Sequence, residues 1–281
     1  MEHAGLAWRG YFPPARELTS GRPDRKEGIY FGVEHSHDHP AVLSNTPMHG
    51  PNQWPSKELT AGIELKDVLL QYLSCMESLG HKLMEATAIG LGLKRNYFRE
   101  RFTDSPTMLF RIFHYPEHVW NDEDDEWGVR EHTDMGFLTI LKQDNSGGLQ
   151  VQSKNGIWIS APPIENTFVV NIGDMLEFWT HGLYKATLHR VRNAASHGRL
   201  SFPFFFDPNW TCTLEPIPEQ EMGAETQRGR EVQQGRLSAY QNKPRWDGYD
   251  LTNLKSITYG QFVWSKISTV FPNLVPKRQQ I

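Results

Sequence analysis

The sequence predicts a mainly β core with helices on either flank, folded as a sandwich or barrel. Between residues 107 and 212, short β-branched or aromatic runs alternate with Gly, Pro, Asn and Asp. Ahead of them, "IELKDVLLQYLSCMESLGHKLMEATAIGLGL" repeats apolar residues at steps of three and four. Behind them the chain turns polar and ends on one more apolar stretch. At 281 residues and 38% hydrophobic content, there is material for one large core or two small ones.

Three segments follow. Residues 1–106 open with about sixty residues rich in Pro, Gly and His, which read as loops with short strands. They continue into an amphipathic helix whose stripe of Leu65, Leu69, Tyr72, Met76, Leu79 and Leu83 is core packing. Residues 107–212 hold the strands: "TMLFRIFHYP", "GFLTILKQ", "GGLQVQSKNGIWISAPP", "TFVVNIGDMLEFW", "ATLHRVRN" and "RLSFPFFFDP". The Asn-Gly of "SKNGIW" marks a tight hairpin. Residues 213–281 run through the polar "EQEMGAETQRGREVQQG" to a short amphipathic helix in "ITYGQFVWSKISTVF".

Several function classes fall away on composition. A formal charge of −4 gives no basic face for a nucleic-acid partner. No apolar run approaches the ~20 residues that span a bilayer, so no membrane role is expected. The N-terminus lacks the basic start and apolar core of a secretory leader. Cys75 and Cys212 stand alone with no CxxC spacing, which excludes a disulfide framework or zinc ribbon and fits a reducing, cytoplasmic location.

The chemistry gathers in "VREHTDMGFLTIL". Residues two apart on a strand share a face, so His132 and Asp134 are expected to converge, with His189 of "TLHRVRN" as third partner from a neighbouring strand. Two imidazoles and one carboxylate on one side of an ion suit non-haem Fe(II) and leave positions open for reaction. Ten residues further, Arg199 and Ser201 of "RLSFPFFF" again share a face. An arginine in so apolar a strand needs an anion, and a small dicarboxylate reaching from the metal would supply it.

Taken together, "HTD", "HRV" and "RLS" resemble the HxD…H…RxS pattern of the iron- and 2-oxoglutarate-dependent dioxygenases, in the isopenicillin N synthase-like branch. "WRGYFPP", "PDRKEGIYFG", "GPNQWP" and "FPFFFDPN" agree, so the resemblance runs from about Trp8 to Val270. It implies a double-stranded β-helix, the jelly-roll barrel related to cupins. It implies His132, Asp134 and His189 as iron ligands, and Arg199 and Ser201 on the distal carboxylate of 2-oxoglutarate. Tyr115 would stand beside that cosubstrate and Phe205 would wall the substrate pocket. The implied reaction is hydroxylation or a related C–H oxidation of a small organic molecule by O2, releasing succinate and CO2, with ascorbate as a reductant. Two departures stand out. Phe113 occupies a position where many plant relatives carry Asn. Relatives also have a further strand and a "GFF…NHG" stretch ahead of the "GY" near which this chain begins, so a barrel short of that segment is expected. The rival readings are an iron-dependent oxidase that does not use 2-oxoglutarate and a catalytically silent metal-binding barrel.

Blander readings cover the remaining signals. His35, His37 and His39 of "EHSHDHP" read as a solvated turn outside the β core. The acidic run "NDEDDEW" reads as a solvated loop, Asn171, Gly173 and Asp174 as a turn, and Cys212 as inert. His114 and His181 flank the core and read equally as contacts to the site or substrate and as satisfied polar residues; His181 is assigned no role.

Overall fold

The computed structural model describes residues 4–19, 21–117, 127–192, 197–224, 226 and 257–270. Its larger antiparallel sheet runs in the order β1 (Gly10–Phe12), β4 (Glu27–Gly32), β5 (Pro106–Tyr115), β12 (Arg199–Asn209), β7 (Leu138–Gln143) and β10 (Val169–Ile172). The smaller contains β6 (Val129–His132), β11 (His189–Val191), β8 (Leu149–Gln152) and β9 (Trp158–Ser160). A separate ribbon pairs β2 (Leu18–Thr19) with β3 (Arg22–Pro23). From β5 to β12 the chain passes repeatedly from one sheet to the other, and residues of both line a single cavity. This is the double-stranded β-helix that the sequence resemblance implies.

After the single turn α1 (Pro40–Leu43), the apolar periodicity of the front half becomes α2 (Leu65–Gly90), whose buried line is Leu69, Leu73, Met76, Gly80, Met84 and Ala88, and the short α3 (Tyr97–Arg101) follows. Helix α2 packs against the outer face of β12. A Cβ at Gly80 would lie 2.4 Å from the Phe206 ring, so the helix reaches this distance only because residue 80 carries no side chain. Along β12, Arg199, Ser201, Pro203, Phe205 and Asp207 face the cavity, whereas Phe204 and Phe206 are fully buried outside it. The period-two alternation of a strand thus assigns polar recognition and packing to opposite faces. The closing stretch forms α5 (Tyr259–Val270), which supplies Tyr259, Val263 and Ile267 to the cavity rim.

Two local readings are corrected. The "DMLEFW" part of the segment read as a strand is a helix, α4 (Asp174–Trp179), following β10. Asp134 also lies beyond β6, which ends at His132, so the two do not share a strand as the i, i+2 argument supposed. The hairpin turn is found where expected, with Ser153 N–H donating to Ile157 O at 2.8 Å and Gly156 at φ +81°. Most of "EQEMGAETQRGREVQQG" and residues 121–126 of the acidic run lie outside the described residues.

The N-terminal arm is part of the barrel wall. β4 adds to β5 with Gly28 opposite Phe113 and Tyr30 opposite Arg111, and β1 adds to β4. Phe12 packs edge-on against Tyr30 and Phe113, with centroids at 5.0 and 5.9 Å.

Candidate active site

β11 pairs with β6 so that His189 stands opposite His132, and their ring centroids are 4.3 Å apart. His189 Nε2 lies 3.7 Å from Asp134 Oδ1, and one donor atom from each of the three residues falls within 4.8 Å of the others. The imidazoles are oriented by backbone carbonyls: His132 Nδ1 is 2.7 Å from Arg130 O, and His189 Nδ1 is 3.0 Å from Thr187 O. A carbonyl only accepts, so Nδ1 carries the proton in each neutral ring and Nε2 keeps the lone pair. Burial, reinforced by His189, holds the His132 imidazole down to about 3. Burial pushes the Asp134 carboxyl up, but His189 and His132 more than offset it and hold it below its usual range. Two imidazoles and a carboxylate are presented together, a donor set that suits a divalent iron.

The turn carrying Asp134 is clamped by α4. Asp174 N–H donates to Asp134 O at 2.8 Å, Met175 N–H to Gly136 O at 3.1 Å and Gly173 N–H to Phe137 O at 2.9 Å. These helix-end donors would otherwise lack partners. A Cβ on Gly173 would sit 2.2 Å from Gly136 O, so the contact requires glycine. Asn171, expected only to shape a turn, donates from Nδ2 to Asp134 Oδ2 at 3.3 Å and leaves Oδ1 facing His189. The turn reading of Asn171 missed this contact, although a polar residue at the end of "TFVVN" was its available signal.

On the facing sheet, Arg199 is almost completely buried at 1% exposure. Its Nε donates to Gly147 O at 2.6 Å and its Nη2 to Gln143 Oε1 at 3.0 Å, while the buried Nη1 has no acceptor. A charged donor left without a partner is costly unless a ligand supplies one. Ser201 lies on the same inward face, and Tyr115 stands opposite Arg199 across β5 and β12 with the guanidinium 4.8 Å from its ring. Phe113 is opposite Ser201. Arg199, Ser201, Tyr115 and Phe113, with Phe205 and the His132–Asp134–His189 cluster, line one cavity of about 800 Å³, within the range of small-molecule sites.

Residues 106–208 match the family model of the 2OG-Fe(II) oxygenase superfamily, and residues 1–57 match that of the non-haem dioxygenase in morphine synthesis N-terminal region. A probable iron/ascorbate oxidoreductase of Dictyostelium discoideum is 45% identical over 98% of this chain and 76% of its own length. The chain belongs to the 2OG-Fe(II) oxygenase superfamily. A 1-aminocyclopropane-1-carboxylate oxidase of Dictyostelium mucoroides is 34% identical over 96% of this oxygenase and 77% of its own length. Among solved structures, a full-length Neurospora crassa protein in complex with alpha-KG and thymine superposes with a TM-score of 0.65 at 32% identity. That match covers 84% of this oxygenase and 75% of the other chain. The protein is therefore a 2-oxoglutarate/Fe(II)-dependent oxidoreductase, and the family implies a small-molecule substrate. No described helix is long and apolar enough to cross a membrane.

Among the described residues, the other histidines lie outside the cavity lining. His114 Nδ1 meets Glu27 Oε1 at 2.9 Å on the outer face of β5, and His181 Nε2 meets Ile217 O at 2.7 Å. His35 packs against His39 and His49, with centroids at 4.5 and 4.9 Å, in a wall of a separate surface cleft. Burial pushes the Cys212 thiol up to about 11, in keeping with an unreactive group. The sequence reading also missed a buried polar group on the cavity wall. Lys26 Nζ lies 2.7 Å from Glu17 Oε2, and Arg111 Nη1 lies 3.4 Å from Glu17 Oε1. The lone arginine in "TMLFRIFHYP", on the face of β5 shared with Phe113 and Tyr115, was the signal that could have found it.

Proposed function

We propose that His132, Asp134 and His189 hold Fe(II), that Arg199 and Ser201 take the distal carboxylate of 2-oxoglutarate beside Tyr115, and that Phe205 walls the substrate space. The reaction is hydroxylation or a related C–H oxidation of a small organic molecule by O2, with 2-oxoglutarate converted to succinate and CO2. Bound iron with its cosubstrate supplies the oxidising power; the protein supplies position and exclusion of water. The observation that carries this reading is the buried, unsatisfied Nη1 of Arg199 in the same cavity as the three metal donors. Its Nε and Nη2 are fixed by Gly147 and Gln143, so the remaining donor is aimed before the cosubstrate arrives.

A second reading, an iron oxidase drawing on ascorbate instead of 2-oxoglutarate, is favoured by the name of the Dictyostelium discoideum relative, a probable iron/ascorbate oxidoreductase. Anaerobic titration with Fe(II) and then 2-oxoglutarate separates the two. Keto-acid chelation of iron gives a visible charge-transfer band, expected in the wild type, absent in Asp134→Ala, and requiring ~10–100 times more 2-oxoglutarate in Arg199→Gln. Iron bound with no band at any 2-oxoglutarate concentration would overturn the first reading and support the second.

A further inference from the structure

We infer that Arg111 is the specificity anchor of this cavity and that the substrate is a small carboxylic acid with an apolar body. The inference rests on the proposed Fe(II)/2-oxoglutarate reading and concerns the opposite end of the same site. Arg111 projects inward from β5, four residues from Tyr115, and so stands about 13 Å along the strand from the Arg199 end. That separation lets a second anion bind without competing with the cosubstrate.

Arg111 is surrounded largely by aromatic rings. Its guanidinium carbon lies 4.3 Å from the Tyr30 ring centroid, 4.6 Å from that of Phe205, and 5.7 Å from those of Trp8 and Phe113. Aromatic faces stabilise the cation but accept no in-plane hydrogen bond. Glu17 is its one acidic contact among the described residues, at 3.4 Å, and that carboxylate is shared with Lys26 at 2.7 Å and with the Tyr30 hydroxyl at 2.9 Å. Asp24 is also committed to Lys26, at 2.5 Å. A guanidinium carries five N–H donors. Here Nη1 reaches Glu17 at the limit of hydrogen bonding, and the buried Nε has no acceptor. What this edge lacks is a planar pair of acceptors, which a carboxylate provides and a neutral amide provides only in part. Lys26 cannot serve instead, because its ammonium is engaged by Asp24 and Glu17. With its carboxylate on Arg111, the body of the substrate lies along Trp8, Phe113 and Phe205, which leads its C–H bonds toward the metal-ligand cluster.

Matched pairs of acids and primary amides test this: benzoate with benzamide, phenylacetate with phenylacetamide, and hexanoate with hexanamide. Binding is read by equilibrium dialysis and by thermal shift on protein loaded anaerobically with Fe(II) and 2-oxoglutarate. At least one acid is expected to bind about tenfold or more tightly than its amide. Arg111→Gln should lose that preference, and Arg111→Lys should regain part of it, while both keep the charge-transfer band at wild-type 2-oxoglutarate concentrations. A lost band would instead indict the underlying cofactor reading. Amides binding as well as acids, no acid binding at all, or an undiminished acid preference in Arg111→Gln would each overturn the inference. The acid–amide comparison on wild type needs no variant to fold.

Discussion

Replacing Gly173 with alanine isolates how the turn bearing Asp134 is held. Gly173 has φ −96° and ψ 169°, an extended conformation that alanine adopts freely, so no backbone strain enters. On conformational entropy alone the substitution would stabilise the protein by about 0.4–1 kcal/mol. Against this, the new Cβ would stand 2.2 Å from Gly136 O and 2.7 Å from Gly136 C, roughly 1 Å inside normal contact. The obstruction is backbone, pinned by the Gly173, Asp174 and Met175 N–H groups, so no side-chain rotation relieves it. Overpacking of this kind costs about 1–3 kcal/mol, and a rigid obstacle places it at the upper end. The steric term wins, and a net loss of about 2 kcal/mol is expected, or ~3–4 °C in Tm for a chain of 281 residues. Relief comes by moving residues 134–136, so Fe(II) affinity should fall by about tenfold or more as Asp134 shifts. Calorimetry of the apo protein and Fe(II) titration read the two effects. A Gly173→Ala protein that melts with the wild type and binds iron equally would refute the clamp.

Further outcomes follow from other contacts. Asn171→Ala removes the 3.3 Å hydrogen bond to Asp134 Oδ2 and should weaken Fe(II) binding by ~10–100-fold, with a far smaller change in Tm. Phe206→Ala empties a fully buried site against Gly80 and His81 and should cost about 4 kcal/mol in urea unfolding with little effect on iron affinity. The His35 imidazole is held down to about 4, first by burial and then by His49, His39 and Arg9. Between that value and the usual 6.5 the unfolded chain binds the extra proton, so this contribution to stability is full above 6.5 and is lost as pH falls toward 4. After allowance for its half-exposed position it amounts to about 1 kcal/mol, and His35→Gln should shrink the difference in unfolding free energy between pH 7.5 and pH 4.5 by that much.

Much of this was legible in the sequence, wherever one pattern repeats over enough residues. α2 shows its buried line over 26 residues, and β5 and β12 alternate long enough for their inward faces to be read, which places Arg199 and Ser201 together. The convergence of His132, Asp134 and His189 was also anticipated, though through an argument only half right: the strand ends at His132, and the loop is aimed by α4. That helix was missed because Asp174, Met175, Leu176, Glu177 and Trp179 are all buried, so six residues carry no amphipathic signature. Arg111 and Glu17 were missed for a different reason. They meet across 94 positions of sequence, and no local period encodes such a pairing.

The two anchor points proposed for the cosubstrate belong to different layers of the barrel. His132 and His189 stand on the smaller sheet, and Arg199 and Ser201 stand on the larger. The spacing between the layers therefore acts as a gauge for ligand length. It is maintained by the outer packing of residues such as Phe204 and Phe206, which never meet the keto acid. Discrimination between a five-carbon keto diacid and its four- or six-carbon homologues is then a mechanical property of the wall. It can drift through substitutions behind the sheet while every polar group in the cavity stays the same.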